Sequence, residues 1–207
     1  MSSETIVLRA FVVLLLTART IYWRVGEVKA LNAKPKLNKR TSFITLHILS
    51  RNLLNVLVFV QLLGLNILPF SQNASIARLG LGVCILAVTC SFLGRKTLGT
   101  NWTDSAESQI KKKHDLITTG IYKLIRHPIA IGYCLFIIGV ELVVESWLVI
   151  PISVLLLGGA YMQSRKEEMI LTQQFGKSYR ALQKCLYLEF FRFGYSSYRV
   201  SEHERYA

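Results

Sequence analysis

Two short stretches hold most of the side chains able to do acid, base or electrostatic work. His114, Asp115, Tyr122, Arg126 and His127 fall within 14 residues. Arg165, Lys166, Glu167 and Glu168 follow as a second block, with Glu167 standing 40 residues after His127. A carboxylate pair can offset a cation, and a guanidinium and an imidazole can hold such a pair in place. Each piece also has an ordinary explanation. Pro128 suits the first turn of a helix, where its missing N–H would be an orphan anyway. Arg126 could anchor to headgroups, His127 could cap the helix, and two glutamates after an apolar segment could simply be solvated.

What makes the two blocks worth joining is the chain between them. Ile129–Val144 and Trp147–Met162 are apolar runs separated only by Glu145 and Ser146. So short a break predicts an antiparallel helical hairpin, which returns the end of the second run to the start of the first. Arg126-His127-Pro128 and Glu167-Glu168 are then expected to meet at one boundary between apolar and polar surroundings. The positive end of the helix dipole at Pro128 adds to that site.

Three more apolar stretches precede the hairpin: Ile6–Trp23, Leu53–Phe70 and Ile76–Gly94. A bilayer core is spanned by about 20 helical residues, so all five read as membrane helices, with Arg9 and Arg19 placed to snorkel from the ends of the first. That first run has no basic segment before it and no clear small-residue cleavage site, and reads as a retained helix rather than a signal peptide. The 207 residues carry 52% hydrophobic and only 18% charged residues, which excludes a disordered or acidic solvated chain.

The formal net charge is +13, which raises nucleic acid as a partner. The positions of the basic residues argue otherwise. Six Lys/Arg lie in Arg24–Arg40, seven in Arg95–Arg126 and eight after Met162, whereas Ser71–Ser75 and the hairpin turn have none. Alternation of loaded and empty loops is the positive-inside pattern. It predicts an outside or lumenal N-terminus, a cytoplasmic C-terminus, and membrane lipids rather than nucleic acid as the anionic partner. Cys84, Cys90, Cys134 and Cys185 show no metal-ligand spacing, so no metal is expected. Gly80-Leu81-Gly82 lies within an apolar helix with no strand before it, and reads as helix packing rather than a dinucleotide loop.

The fold expected is all-α and multi-pass, one structural unit with three membrane helices over residues 1–94 and a catalytic region over 95–207. Gln163–Tyr187 has no proline and only Gly176, with apolar residues at helical spacing. It is expected to extend the fifth helix and to form a cytoplasmic helix over the site. Phe190, Phe191, Phe193, Tyr195 and Tyr198, interleaved with Arg192 and Arg199, are expected to anchor at the interface.

Thr100-Asn101-Trp102-Thr103, then His114 through Tyr122, then Arg126-His127-Pro128, followed by Glu167-Glu168, Phe175-Gly176 and Tyr179, resembles the integral-membrane isoprenylcysteine carboxyl methyltransferase family. The resemblance covers roughly Leu98–Leu182. It implies methyl transfer from S-adenosyl-L-methionine at the cytoplasmic face. It also implies cofactor contacts at His114, Asp115, Leu116, Ile117, Tyr122, His127, Pro128, Ile129, Ala130 and Glu167. Arg126 and Glu168 are the candidate catalytic pair. The chain departs from that family at Ala130, where a tyrosine is usual. It departs again at Gln163, where an arginine often contacts a substrate carboxylate. The acceptor is therefore left open as lipophilic or small, a prenylcysteine carboxylate among the candidates. A Gly-x5-Arg-His-Pro hairpin is shared with NADPH-dependent sterol reductases, but those continue Asn-Tyr where this chain has Ile129-Ala130. A non-catalytic membrane protein with a decayed site is the third reading. The residues do not separate an endoplasmic-reticulum membrane from a bacterial or archaeal plasma membrane.

Overall fold

The computed structural model describes residues 3–31, 42–70, 73–99 and 116–191. Trp102, His114, Asp115 and the aromatic segment from Phe193 lie outside the described residues. Those described form five α-helices, a short 3-10 turn and one isolated antiparallel bridge: α1 (Ser3–Leu31), α2 (Ser42–Leu62), α3 (Ala74–Leu98), the turn Gly120–Lys123, α4 (Pro128–Val143) and α5 (Val149–Phe191). Ser3–Gly26 and Ala74–Leu98 are long and apolar enough to cross a membrane, while Leu49–Leu62 and Pro128–Val143 are shorter apolar helices. Large apolar side chains face outward along the bundle, among them Leu14, Leu53, Val56, Leu79, Val154 and Leu155. An exterior this apolar is what lipid demands and water penalises.

α4 is the central helix. Phe136, Ile137, Val140 and Val143 on it are fully buried and join Val12 of α1, Val58 of α2, Cys84 and Ala87 of α3, and Ile152 of α5 in one core. Its most extensive interface is with α3, and small residues make that approach possible. A Cβ on Gly80 would lie 2.7 Å from the Gly139 carbonyl oxygen, and one on Gly139 would lie 2.9 Å from that of Gly80. Gly132 sits against Ser91 Oγ and the Ala87 carbonyl in the same way. The expected packing role of Gly80 is thus observed, whereas Gly82 points into open space.

The second apolar run is shorter as a helix than the sequence suggests. α2 ends at Leu62, and Gly64 (φ +115°) and Pro69 take residues 63–70 out of helix. That loop pairs with the α4–α5 turn: Phe70 N–H donates to the Glu145 carbonyl at 2.8 Å, Trp147 N–H to the Leu68 carbonyl at 2.9 Å, and Ser146 Oγ to the Ile67 carbonyl at 2.8 Å. The hairpin turn is therefore clamped from outside, with Phe70 packed edge-on to Trp147 at 5.5 Å.

Nor do Arg9 and Arg19 of α1 snorkel. Arg9 is buried and donates to Asn66 Oδ1 at 2.8 Å and weakly to the Gln61 carbonyl at 3.4 Å. Gln61 in turn donates to Glu141 at 3.3 Å, so a buried polar chain ties α1, α2 and α4 together near this end. Arg19 turns inward onto aromatic rings. A side chain in the apolar layer takes a protein partner when one is nearer than the interface.

α5 runs 43 residues, about 65 Å at 1.5 Å per residue, well over the roughly 30 Å of a hydrocarbon core. Its course breaks at Gly176 (φ +51°, ψ −118°), a positive-φ conformation that glycine, with no Cβ, adopts without steric cost. The helical continuation past the hairpin is as expected, and the bend falls at the stretch's single glycine. Tyr179, just beyond it, is buried. Gly176→Ala removes the licence to bend and favours a straight helix. Spin labels at Leu157 and Arg180 are expected to report a longer separation in that variant, and an unchanged distance would contradict the assignment.

Candidate functional site

The hairpin brings the two sequence blocks together. Arg126 Nη1 pairs with Glu168 Oε1 at 3.2 Å. His127 lies between the two carboxylates, with Nδ1 at 3.3 Å from Glu167 Oε2 and Nε2 at 3.6 Å from Glu168 Oε1. The second distance is within ion-pair range but too long for a hydrogen bond. Nε2 is thus a buried ring nitrogen without a hydrogen-bond partner. His127 occupies the N-cap position of α4 yet makes no capping hydrogen bond. Its side chain has been directed to α5 instead, which favours a role beyond ending a helix.

Gln163, one turn before Glu167 on α5, donates its amide to Glu167 Oε1 at 3.2 Å. Among the described residues, no lysine or arginine stands within ion-pair distance of Glu167. The Arg126 guanidinium is thus taken by Glu168, and Glu167 faces the His127 imidazole and the Gln163 amide. Its side chain is 34% exposed against 18% for Glu168. The better-shielded carboxylate is the one held by Arg126, and the less-shielded one is left with its charge available.

The approach from the other side is set by the turn Gly120–Lys123, which docks on the end of α3. Gly120 (φ +60°) lies so close to Thr97 that a Cβ there would be 2.8 Å from Thr97 Oγ1. This placement brings Tyr122 into electrostatic range of Glu167, and burial first and that carboxylate second push the phenol well above its ordinary value. Tyr122 is consequently a neutral hydroxyl donor at any physiological pH. The stability this burial contributes is fully present below the unfolded phenol value of about 10 and is lost as the pH climbs from there through the raised native value. Melting temperature against pH is expected to fall above that point more steeply for the native chain than for Tyr122→Phe.

Pro128 is buried, and Ile129 with it packs on Gly94 of α3, where a Cβ would be 3.0 Å from each. They hold the start of α4 against α3. Ala130, Leu116 and Ile117 are half-buried. His114 and Asp115 lie outside the described residues.

An aromatic cluster at the same end of the bundle escaped the sequence reading. Arg19 lies 5.2 Å from the Trp23 ring centre, 5.3 Å from Tyr133 and 5.6 Å from Phe136. Arg95 lies 4.8 Å from Trp23 and 5.4 Å from Tyr22. The only local signal was an arginine and a tryptophan four residues apart on one helix. The rings from α3 and α4 come from far along the chain.

Comparison with known proteins adds identity to this geometry. A family model described as phospholipid methyltransferase (PEMT) matches residues 76–178, from the start of α3 through the site to just past the Gly176 bend. A protein-S-isoprenylcysteine O-methyltransferase of Dictyostelium discoideum is 31% identical over 96 residues, covering 44% of this chain and 39% of that protein. A protein of the same name from Tribolium castaneum is 29% identical over 106 residues, covering 50% and 37%. The chain thus spans about two-fifths of the length of these relatives. Taken with the motif order from Arg126 to Tyr179, these matches support the resemblance of the chain to the isoprenylcysteine carboxyl methyltransferase family.

Proposed function

We propose that this chain is a membrane methyltransferase that uses S-adenosyl-L-methionine and acts on a lipophilic acceptor. The observation that carries the reading is the Glu167 carboxylate beside His127 at the start of α4, with no lysine or arginine paired to it among the described residues. S-adenosyl-L-methionine, when bound, supplies an activated methyl group on a positively charged sulfur. The residues suit that group: a carboxylate with no lysine or arginine partner among the described residues, a buried ring nitrogen with no hydrogen bond among them, and a neutral phenol.

In this reading Glu167 offsets the positive charge, and Gln163 holds one of its oxygens in place. Arg126 fixes Glu168, and through it the level at which α5 meets α4. His127 Nε2 and Tyr122 offer hydrogen bonds to polar groups of the cofactor, together with Leu116, Ile117 and the undescribed His114 and Asp115. The apolar exterior of α4 and α5 keeps bulk water away. Positioning and a dry site are the main accelerants of a displacement in which charges are neutralised.

The membrane topology belongs to the same proposal. Five helices cross or enter the bilayer, the N-terminus lies outside, and the site and C-terminal helix face the cytoplasm. Residues 1–94 then act as a scaffold for 95–207. The relatives are named for prenylated cysteine, and a prenylated acceptor suits a site beside lipid. Gln163 is occupied with Glu167, so a substrate carboxylate finds no arginine at that position.

Titration calorimetry of the purified chain with S-adenosylhomocysteine is the direct test. Saturable binding that is lost in His127→Ala is expected. An absence of heat with the native chain would overturn the reading. A mass-tagged methyl-transfer screen over prenylcysteines, thiols, amines and phenols would then name the acceptor.

A further inference from the structure

We infer that Glu141 of α4 holds a proton and pairs with Gln61 of α2 as a neutral acid and amide, a clasp between the two helices that closes only while that proton is in place. Glu141 stands about 21 Å along α4 from His127, at 1.5 Å per residue. The clasp is thus separate from the carboxylate pair and does not depend on the methyltransferase reading.

Both side chains are completely buried, and Gln61 Nε2 donates to Glu141 Oε2 at 3.3 Å. The other two oxygens, Glu141 Oε1 and Gln61 Oε1, are buried and have no hydrogen-bond partner among the described residues. An ionised carboxylate and an amide oxygen are both acceptors, so the two side chains together are one donor short. A bridging water needs room beside both oxygens, and neither side chain has surface open to a water molecule. The missing donor is therefore a hydrogen of the pair's own. A proton on Glu141 Oε1 turns that oxygen from an acceptor into a donor to Gln61 Oε1. Acid and amide then close a planar ring of two hydrogen bonds, O–H to O one way and N–H to O the other, with no oxygen left over.

The charges nearby are committed elsewhere. Arg9 of α1 donates to Asn66 Oδ1 and to the Gln61 main-chain carbonyl. Glu145, in the turn after α4, accepts the Asn73 N–H at Oε1. Among the described residues, no lysine, arginine or histidine stands within ion-pair distance of Glu141. An ionised Glu141 would be a lone charge beside the core of Val58, Val140 and Val143, and one amide hydrogen bond does not return what such burial costs. The neutral pair escapes that cost and joins the last turn of α2 to the last turn of α4. Losing the proton leaves two acceptor oxygens together and opens the clasp.

Infrared difference spectroscopy of the full chain in neutral detergent at about pH 7 tests this, comparing the native chain with Glu141→Gln. Glutamine keeps the shape and can close the same two-bond ring with Gln61, so the variant is expected to melt within about 4 °C of the native chain. The difference spectrum is expected to show one protonated-carboxyl C=O stretching band, present in the native chain and lost in Glu141→Gln. Gln61→Leu keeps the carboxyl but removes its amide donor, and is expected to move that band to higher frequency. Should Glu141→Gln lose its monodisperse elution, Gln61→Leu carries the test. Absence of the band from the native chain, its persistence at full intensity in Glu141→Gln, or an unchanged frequency in Gln61→Leu would overturn the proposal.

Discussion

Glu167→Gln is expected to weaken binding of S-adenosylmethionine by about tenfold or more, while binding of S-adenosylhomocysteine changes little. The two ligands differ by one methyl group and one positive charge. The substitution keeps the shape of the side chain and removes only its charge. Opposite unit charges at close range near a protein surface interact by up to about 4 kcal/mol. Exposure of about a third of the Glu167 side chain reduces that share, and about 1.4 kcal/mol already corresponds to tenfold. Glu168→Gln is expected to behave differently. Glu168 is the partner of Arg126, so its loss leaves a half-buried guanidinium without that carboxylate and affects both ligands alike. Parallel calorimetric titrations of both variants check this. Equal losses for the two ligands in Glu167→Gln would mean that its charge does not face the sulfur.

The largest effect on stability is expected at Gly132. A Cβ there would meet Ser91 Oγ and lie 2.7 Å from the Ala87 carbonyl oxygen. A serine hydroxyl can rotate away, but a helix carbonyl cannot move without displacing α3. Gly132→Ala is therefore expected to cost about 1–3 kcal/mol, the usual range for overpacking, and Gly132→Leu to prevent folding. Gly82→Ala is the internal control. It faces open space, and alanine there gains about 0.5–1 kcal/mol of helix propensity. Melting temperatures in detergent are expected to fall for Gly132→Ala and to hold or rise for Gly82→Ala. Because Pro128 and Ile129 rest on Gly94 along the same α3–α4 seam, the loss at Gly132 is also expected to disturb His127 and so weaken donor binding.

The helices were legible before the structure, for a physical reason. Apolar runs as long as Ile6–Trp23 and Ile76–Gly94 leave the backbone no partner but itself, and that makes a helix. The hairpin was legible because Glu145 and Ser146 allow no longer path, and with it the meeting of His127 and Glu167. The end of α2 was less so. Leu53–Phe70 is mostly apolar; Gly64 and Pro69 loosen its end, and pairing with the α4–α5 turn holds residues 63–70 out of helix.

By itself, then, the sequence determined the elements, the family motifs and the pairing of the Arg126–Pro128 and Glu167–Glu168 blocks. All of these follow from local period, short connection lengths and residue type. Tertiary structure decided what each polar group faces. It gave Arg126 to Glu168 and His127 to Glu167, sent that imidazole to α5 rather than to its own helix cap, and buried Arg9 on Asn66. It also turned Arg19 away from the membrane surface onto Trp23, Tyr133 and Phe136. Long side chains choose among partners several ångströms apart. That choice depends on elements brought side by side from positions 40 to more than 100 residues apart, where no local pattern in the chain records it.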